Sequence, residues 1–379
     1  MAPVTRHTTL APPLLLLSSA TMHAATFLGT TPGSWVDSLP AGRCRPRRSA
    51  GSRCVVTTAA AEAAEAVSGN VVAVTGATGF VGSRLTQELV GQGNTVLRVL
   101  TRDVSAAKRK LQAVVTGGAA SQLQFYGDRD WAAGVRGASA VVNLAGEPIS
   151  GRWSADTKSL ILSSRVNATK RLVSAMRDCP PELRPRVLVS ASAVGFYGTS
   201  LSARYDEQSP SGGDYLATVC KQWEKAALGA EELGVRVVVV RLGIVLDRGG
   251  GALAKMAPVF ELFAGGPLGD GRQWMSWVHR DDAVGIMAQA LRDDSWSGCY
   301  NATAPAPVRM TQLCSSLGAA MGRPSWAPVP EFVISLALGE GGKVVLEGQQ
   351  VLPTRTLSAG YSFQYRDVNA ALRQVVGRR

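Results

Sequence analysis

Residues 71–82 read Val-Val-Ala-Val-Thr-Gly-Ala-Thr-Gly-Phe-Val-Gly, and little else in the chain limits its fold so tightly. Val71, Val72, Ala73 and Val74 run without a polar break. A strand buried on both faces of a parallel sheet reads this way; a half-exposed strand would alternate. Gly76, Gly79 and Gly82 follow at three-residue spacing, and Val81, Leu85 and Leu89 then recur on one helical face. Strand, glycine turn and helix in this order make a dinucleotide-binding unit. The first glycine permits the turn, the second lets the backbone approach a pyrophosphate, and the third lets helix and strand pack closely. The helix start offers unpaired N–H groups and a positive dipole end to phosphates. Glycine spacing alone is a weak signal, strengthened here by the strand before it and the helix after it. A structural turn without a ligand is the competing reading.

Further strands are expected at Thr95 to Leu100, Gln122 to Tyr126, Val141 to Gly146, Val187 to Ser190 and Val235 to Leu242. Between them lie helical patterns, including a long one with Ile161, Ala168, Leu172 and Met176 on one face and another from about Ala217 to Leu233. The alternation without repeats predicts an α/β fold with a doubly wound parallel sheet. The boundaries expected are a disordered leader and linker over 1–69, a Rossmann domain with substrate loops over 70–322, and a small C-terminal, substrate-side subdomain over 323–379. Asn143, at the end of the fourth strand, is either a turn-former or a cofactor contact.

The leader differs in composition from the rest of the chain. Up to Ala60 it holds six arginines, no lysine and a single acid, Asp37, and it is rich in Ser, Thr, Ala and Pro. This is transit-peptide composition. The late arginine cluster from Arg43 to Arg48 favours a plastid over a mitochondrion, so the expected location is the chloroplast, in the stroma or at the inner envelope. The run Leu14 to Leu17 is too short to span a bilayer, and no later stretch is long enough either. The chain's net charge of +12 is not gathered into a basic run with interleaved aromatics, so nucleic-acid binding has no support. Of the six cysteines, Cys179, Cys220, Cys299 and Cys314 lie beyond the leader with no metal-ligand spacing, which reads as reduced thiols.

At the end of the second strand stands Thr101-Arg102-Asp103. A carboxylate at this point of a Rossmann unit bonds the adenosine 2′-hydroxyl, and an arginine accommodates a 2′-phosphate. Arg102 takes the first charged slot, which predicts NADP(H) over NAD(H). An exposed loop arginine beside Asp103 is the alternative.

The spacing G-x-x-G-x-x-G with Thr75 ahead of it resembles the opening of extended short-chain dehydrogenase/reductases. Further blocks narrow the resemblance: Asn143 to Ile149 with Arg152-Trp153, Ser190 to Ala193 with Tyr197-Gly198, Trp223-Glu224, Arg241 to Leu246, Gly271 to Asp282, Asn301, and Gly348 to Pro353. Together they resemble the epimerase family, an atypical short-chain dehydrogenase/reductase group that carries a C-terminal domain of unknown function and includes SulA-like plastid members linked to chloroplast division. The resemblance implies an extended short-chain dehydrogenase/reductase fold and NADP(H) as cofactor. Cofactor contacts are expected at Gly76, Ala77, Thr78, Gly79, Phe80, Val81, Gly82, Thr101, Arg102, Leu144, Ala145, Gly146, Glu147, Arg165, Ser190 and Arg241. The substrate expected is a small polar or anionic molecule; a homodimer and a peripheral envelope association are both compatible with the sequence.

Such enzymes use a Tyr-x-x-x-Lys pair on one helix face. Here Tyr215 and Lys221 are six apart, which turns them about 120° away from each other. With Glu224 aligned to the acid that follows the pair, Leu216 and Cys220 fall in its place. The remaining candidates for chemistry are Ser192, or Ser190, as a substrate-orienting hydroxyl, Tyr197 on the loop toward the pocket, and Tyr215. His279 beside Asp281 and Asp282 either titrates or orders its loop. Arg241 and Arg272 are candidates to hold an anion, and Trp153, Trp274 and Trp277 to line an apolar cleft. Two functions are open: an oxidoreductase or nucleotide-sugar-epimerase-type enzyme with a rearranged proton donor, or a catalytically silent cofactor-binding protein acting through interactions.

Overall fold

In the computed structural model, residues 70–377 are described; the leader expected over 1–69 lies outside them. Val72, Ala73 and Val74 are wholly buried, as an unbroken apolar run requires. They form β1 (Asn70–Thr75), an interior strand of a seven-stranded parallel sheet. The others are β2 (Thr95–Leu100), β3 (Leu123–Tyr126), β4 (Ala140–Asn143), β5 (Val187–Ala193), β6 (Arg236–Leu242) and β7 (Gly298–Ala302). Their order is β3-β2-β1-β4-β5-β6-β7. The chain winds outward from β1 in one direction and then, from β4, in the other. A crevice opens where the order reverses, at the carboxyl ends of β1 and β4, and this is where open α/β sheets bind ligands.

Helices cover both faces. On one, α1 (Phe80–Gly91) and α5 (Arg280–Arg292) bury Leu85, Leu89, Ile286 and Met287 against Val72, Val74, Val189 and Val238. On the other, α3 (Ala155–Arg177) and α4 (Tyr215–Leu228) bury Leu172, Met176 and Ala227 against Ala73, Val141, Leu188 and Val239. Each large aliphatic side chain among these contributes about 1.5–3 kcal/mol on full burial. The short α2 (Val104–Gln112) follows β2 and is capped by the Asp103 carboxylate, which accepts from the Ala106 amide at 2.8 Å.

The boundaries depart from the sequence reading in four places, the first being β4, which stops at Asn143 instead of reaching Gly146. Strand β5 continues past Ser190 to Ala193, which places Ser192 within the sheet. Helix α4 begins at Tyr215, because the Asp214 carboxylate caps it by accepting from the Ala217 amide, and ends at Leu228 before Gly229. Strand β7 carries no clear sequence signal: Gly-Cys-Tyr-Asn-Ala lacks a β-branched run, yet it pairs with β6 throughout.

The C-terminal segment is stitched to the carboxyl end of the sheet. Gln350–Val351 pairs in parallel with Arg204–Tyr205. The Ser276 hydroxyl donates to the Gln349 carbonyl at 2.7 Å and accepts from the Val351 amide at 2.9 Å. Buried Asp282 accepts from the amides of Gln364 and Tyr365 and from the Tyr361 hydroxyl; burial still pushes its carboxyl above the usual range. Trp277 is wholly buried with its indole N–H on the Ala306 carbonyl, so it packs the core and lines no cleft.

Candidate functional site: a dinucleotide groove beside a buried ionic network

The glycine turn closes on the loop that follows β4. Gly76 has φ +68°, and a Cβ there would lie 2.5 Å from the Leu144 carbonyl oxygen. A Cβ on Gly82 would lie 2.1 Å from the Gly76 carbonyl oxygen. Both positions therefore require glycine, one for backbone conformation and contact, the other for contact alone. Gly79 caps α1 with no side-chain acceptor, so the first N–H groups of the helix keep their capacity for an external anion. Gly79 and Gly146 are exposed, and Ala77 is buried beneath the turn. The Phe80 ring packs against Gly250, where a Cβ would lie 2.4 Å from it, and beneath the Arg280 guanidinium.

Arg102 stands at the far end of this groove, its side chain 79% exposed, with one guanidinium nitrogen 2.9 Å from Glu147. Asp103 behind it is used as the cap of α2, which leaves the arginine as the group presented there. Glu147 is held in turn: its amide donates to the Ser164 hydroxyl at 3.1 Å. The loop residues Leu144, Ala145, Gly146 and Glu147 thus form one wall, and the glycine turn with Thr101 and Arg102 forms the other.

Asn143 is neither a turn-former nor a groove residue. Its side chain is buried, accepting from the Thr75 hydroxyl at 2.8 Å and donating to Thr169 at 2.7 Å and to Ser190 at 3.2 Å. It ties β1, β4, β5 and α3 together beneath the crevice. Ser190 is 1% exposed and shares that node.

The other predicted side chains meet in a buried ionic network. Arg241 donates to both carboxylate oxygens of Glu224, at 2.9 and 2.8 Å, and to the Tyr197 hydroxyl at 3.0 Å. Ser192 donates to Glu224 at 2.6 Å, and Tyr197 donates to Asn301 at 2.7 Å. The Phe196 ring lies 3.5 Å from the guanidinium carbon. Burial opposes the charge on Arg241, but the Glu224 hydrogen bonds and field outweigh it, and the guanidinium is held above its usual value. Burial pushes the Tyr197 hydroxyl up to about 12. Tyr197 is turned inward at 2% exposure and does not face the pocket, and the hydroxyl of Ser192 is already committed. The sequence carried one sign of this network: Arg241 interrupts a run that opens with four valines, and a charge in a buried strand demands a partner.

Helix α4 presents Leu216 and Cys220 to the end of β5. A Cβ on Gly195 would lie 3.3 Å from the Leu216 Cβ and 3.9 Å from the Cys220 sulfur. Lys221 is exposed. The helix is regular, so Lys221 does not reach Tyr215; with Glu224 aligned to the acid that follows the pair, an apolar side chain and a thiol stand in its place, and burial pushes that thiol up to about 11. Tyr215 instead edges onto Trp153, with centroids 5.4 Å apart, and its hydroxyl donates to the Lys158 carbonyl. Arg165 of α3 lies between these groups, its guanidinium carbon 5.3 Å from the Trp223 ring centre and 3.1 Å from where a Gly146 Cβ would sit. Burial lowers its pKa.

His279 is wholly buried. Its Nδ1 accepts from the Asp281 amide at 3.1 Å, its Nε2 meets Gln374 at 2.8 Å, and its ring stacks on Tyr365 at 3.8 Å. Burial lowers its pKa. It caps α5, so it orders this region rather than reaching the crevice. Arg272 is exposed.

Comparison with known proteins matches residues 72–302 to the NAD dependent epimerase/dehydratase family and residues 329–375 to a domain of unknown function, DUF1731. The chain is 50% identical over 305 residues to the chloroplastic epimerase family protein SDR39U1 homolog of Arabidopsis thaliana, covering 80% of this chain and 86% of that protein. It is 38% identical over 315 residues to the epimerase family protein YfhF of Bacillus subtilis, covering 81% and 98%. The crystal structure of the human epimerase family protein SDR39U1 with NADPH superposes with a TM-score of 0.72 at 34% identity, covering 82% of this chain and all of that one. A Bacillus cereus UDP-glucuronic acid 4-epimerase superposes at 0.66 with 15% identity, over 81% and 98%, a likeness of fold.

Proposed function

The chain belongs to the NAD dependent epimerase/dehydratase family, and from that membership we propose that it binds NADP(H) in the groove between its glycine turn and the loop after β4. The observation that carries this is the contact of Gly76 with Leu144, which leaves backbone and no side chain at the groove floor, with Arg102 at its far end. The amides heading α1 would hold the diphosphate, and Arg102 the adenosine phosphate. A relative crystallised with NADPH supports the choice of cofactor. The nicotinamide, when bound, supplies reversible two-electron chemistry.

What this chain adds at the reactive end is unusual for the superfamily. Cys220 in the lysine position is a neutral thiol and Leu216 in the tyrosine position carries no proton, so neither supplies the usual relay. Ser192 and Tyr197 are locked in the Glu224–Arg241 network and hold the end of β5 rigid. Oxidoreductase or epimerase-type turnover therefore draws its proton from a group other than the dyad; Tyr215, at the head of α4, serves only once its hydroxyl leaves the Lys158 carbonyl. The absent dyad equally favours a second reading, a silent cofactor-binding protein that acts through partners, as in chloroplast division. The named chloroplastic relative supports a plastid location, in the stroma or against the inner envelope.

Incubating the protein with 4-deuterated NADPH and a stromal metabolite extract separates the two. Deuterium appearing in a metabolite supports an enzyme. Bound NADPH that never exchanges its label, across extract and a carbonyl and nucleotide-sugar panel, supports the silent protein.

A further inference from the structure

Four buried or half-buried guanidiniums elsewhere in the fold are answered by acids, Arg84 by Asp281, Arg236 by Asp294, Arg241 by Glu224 and Arg280 by Asp247, and half-buried Arg98 by the carbonyls of Gly134 and Arg136. Arg184, in a similar setting, is answered by three backbone carbonyls. Arg165 differs. Among the described residues no carboxylate lies within ion-pair distance of it, and its one hydrogen bond runs from Nη1 to the Ile161 carbonyl of its own helix, at 2.9 Å. Its Nε and Nη2 are left with donors unspent, and neither is a sealed atom in the interior.

The place matters as much as the charge. Arg165 abuts Gly146 on the crevice wall and the face of Trp223 on α4, with Cys220 and Tyr215 among the groups whose fields reach it. These line the slot where the dyad would stand. Lys158, the other cation beside Tyr215, is bound to Glu340 at 2.5 Å, and Glu147 is bound to Arg102. Arg165 is therefore the unspent planar cation of this group, with the Trp223 ring against its guanidinium. A guanidinium edge matches a carboxylate, two parallel N–H donors to two coplanar oxygens, better than any other small group. A phosphate dianion would ask for a second cation, and the nearest is already paired.

We propose that Arg165 is the binding point for a substrate carboxylate, so that the reactive end of the crevice takes a small carboxylic acid. This rests on the cofactor reading above and moves Arg165 from the cofactor to the substrate. The fork replaces the lysine's positive charge from the opposite helix, α3 instead of α4, and it positions substrate without transferring a proton.

The test titrates the full chain with NADPH first, then titrates the loaded protein with oxamate, inorganic phosphate and acetamide, following nicotinamide fluorescence. The expected result is a saturable response to oxamate, none to neutral acetamide, and a weaker one to phosphate. Arg165→Gln is expected to weaken oxamate about 10–100-fold, the worth of a charge-assisted hydrogen bond, while NADPH affinity stays within about threefold by the same reasoning that no cofactor contact is lost. Arg165→Lys, which keeps the charge and loses the fork, falls between them and guards against a folding defect in the glutamine variant. An oxamate response unchanged in Arg165→Gln overturns the proposal. So does a preference for phosphate, or a loss of NADPH affinity as large as the loss of oxamate affinity. Failure of wild-type protein to bind NADPH in the first titration is a different failure, that of the cofactor reading.

Discussion

Replacing Arg102 by alanine tests cofactor choice at a point where stability and binding separate cleanly. The side chain is 79% exposed and its one ion pair, with Glu147, lies at the surface. Such a pair contributes about 0.2–1 kcal/mol to folding, so Arg102→Ala should fold normally with little change in its melting temperature. In the complex the same guanidinium would face the adenosine 2′-phosphate. A charge-assisted hydrogen bond of that kind is worth about 1.5–3 kcal/mol. Part of this is spent releasing Glu147, which leaves a net of roughly 1–2.5 kcal/mol, or about a 5–60-fold loss of NADPH affinity. NADH has no such phosphate and should weaken less than about twofold by the same logic. The assay is energy transfer from tryptophan to the nicotinamide, with each dinucleotide titrated separately into wild type and variant at one fixed salt concentration. Salt matters because exposed charge contacts are screened. Equal loss for the two cofactors, or no loss for NADPH, would show that Arg102 is a loop arginine and nothing more.

Three other outcomes are expected from the groups around the crevice. Glu224→Ala strands buried Arg241 and should cost about 3–5 kcal/mol in urea unfolding, whereas Glu224→Leu combined with Arg241→Met should cost less than the single change; a single-variant loss below about 1 kcal/mol would contradict a buried pair. Cys220, with its thiol pushed up to about 11, is roughly one part in a thousand thiolate at about pH 8, so peptide mapping after iodoacetamide should find it unmodified in folded protein and alkylated in urea. Burial holds His279 below its ordinary pKa, so its contribution is complete above about pH 6.5 and is lost as the pH falls through the lower folded value. Urea midpoints should therefore drop between about pH 7 and pH 5, and His279→Gln should drop less over that interval; equal slopes would mean that the titrating group lies elsewhere.

What the sequence revealed was whatever depends on near neighbours. Gly76, Gly79 and Gly82 declare a turn because the spacing is itself the geometry, and Arg102 is legible because a strand end has a fixed place in a Rossmann unit. The displacement of Lys221 from Tyr215 was legible for the same reason, since helical rotation is local. The ionic network was not. Ser192, Tyr197, Glu224, Arg241 and Asn301 come from separate strands, a turn and a helix, and only the packed sheet brings them within bonding distance. Tyr197 shows the consequence: a tyrosine on a turn near an active-site strand reads as pocket-facing, and tertiary packing turned it inward. Asn143 is similar, its three partners lying on β1, α3 and β5. Arg165 was legible as a charge but not as one without a carboxylate beside it, because pairing is a property of the assembled fold.

The central claim is that backbone amides at the head of α1, with Arg102 beyond them, grip a phosphorylated pyridine dinucleotide. Isothermal titration of folded protein with NADPH and with NADH, under one buffer condition, bears on it without assuming any reaction. The account predicts one saturable site and tighter binding of NADPH. Protein that is folded by circular dichroism yet gives no binding heat with either dinucleotide, across several temperatures, would contradict it.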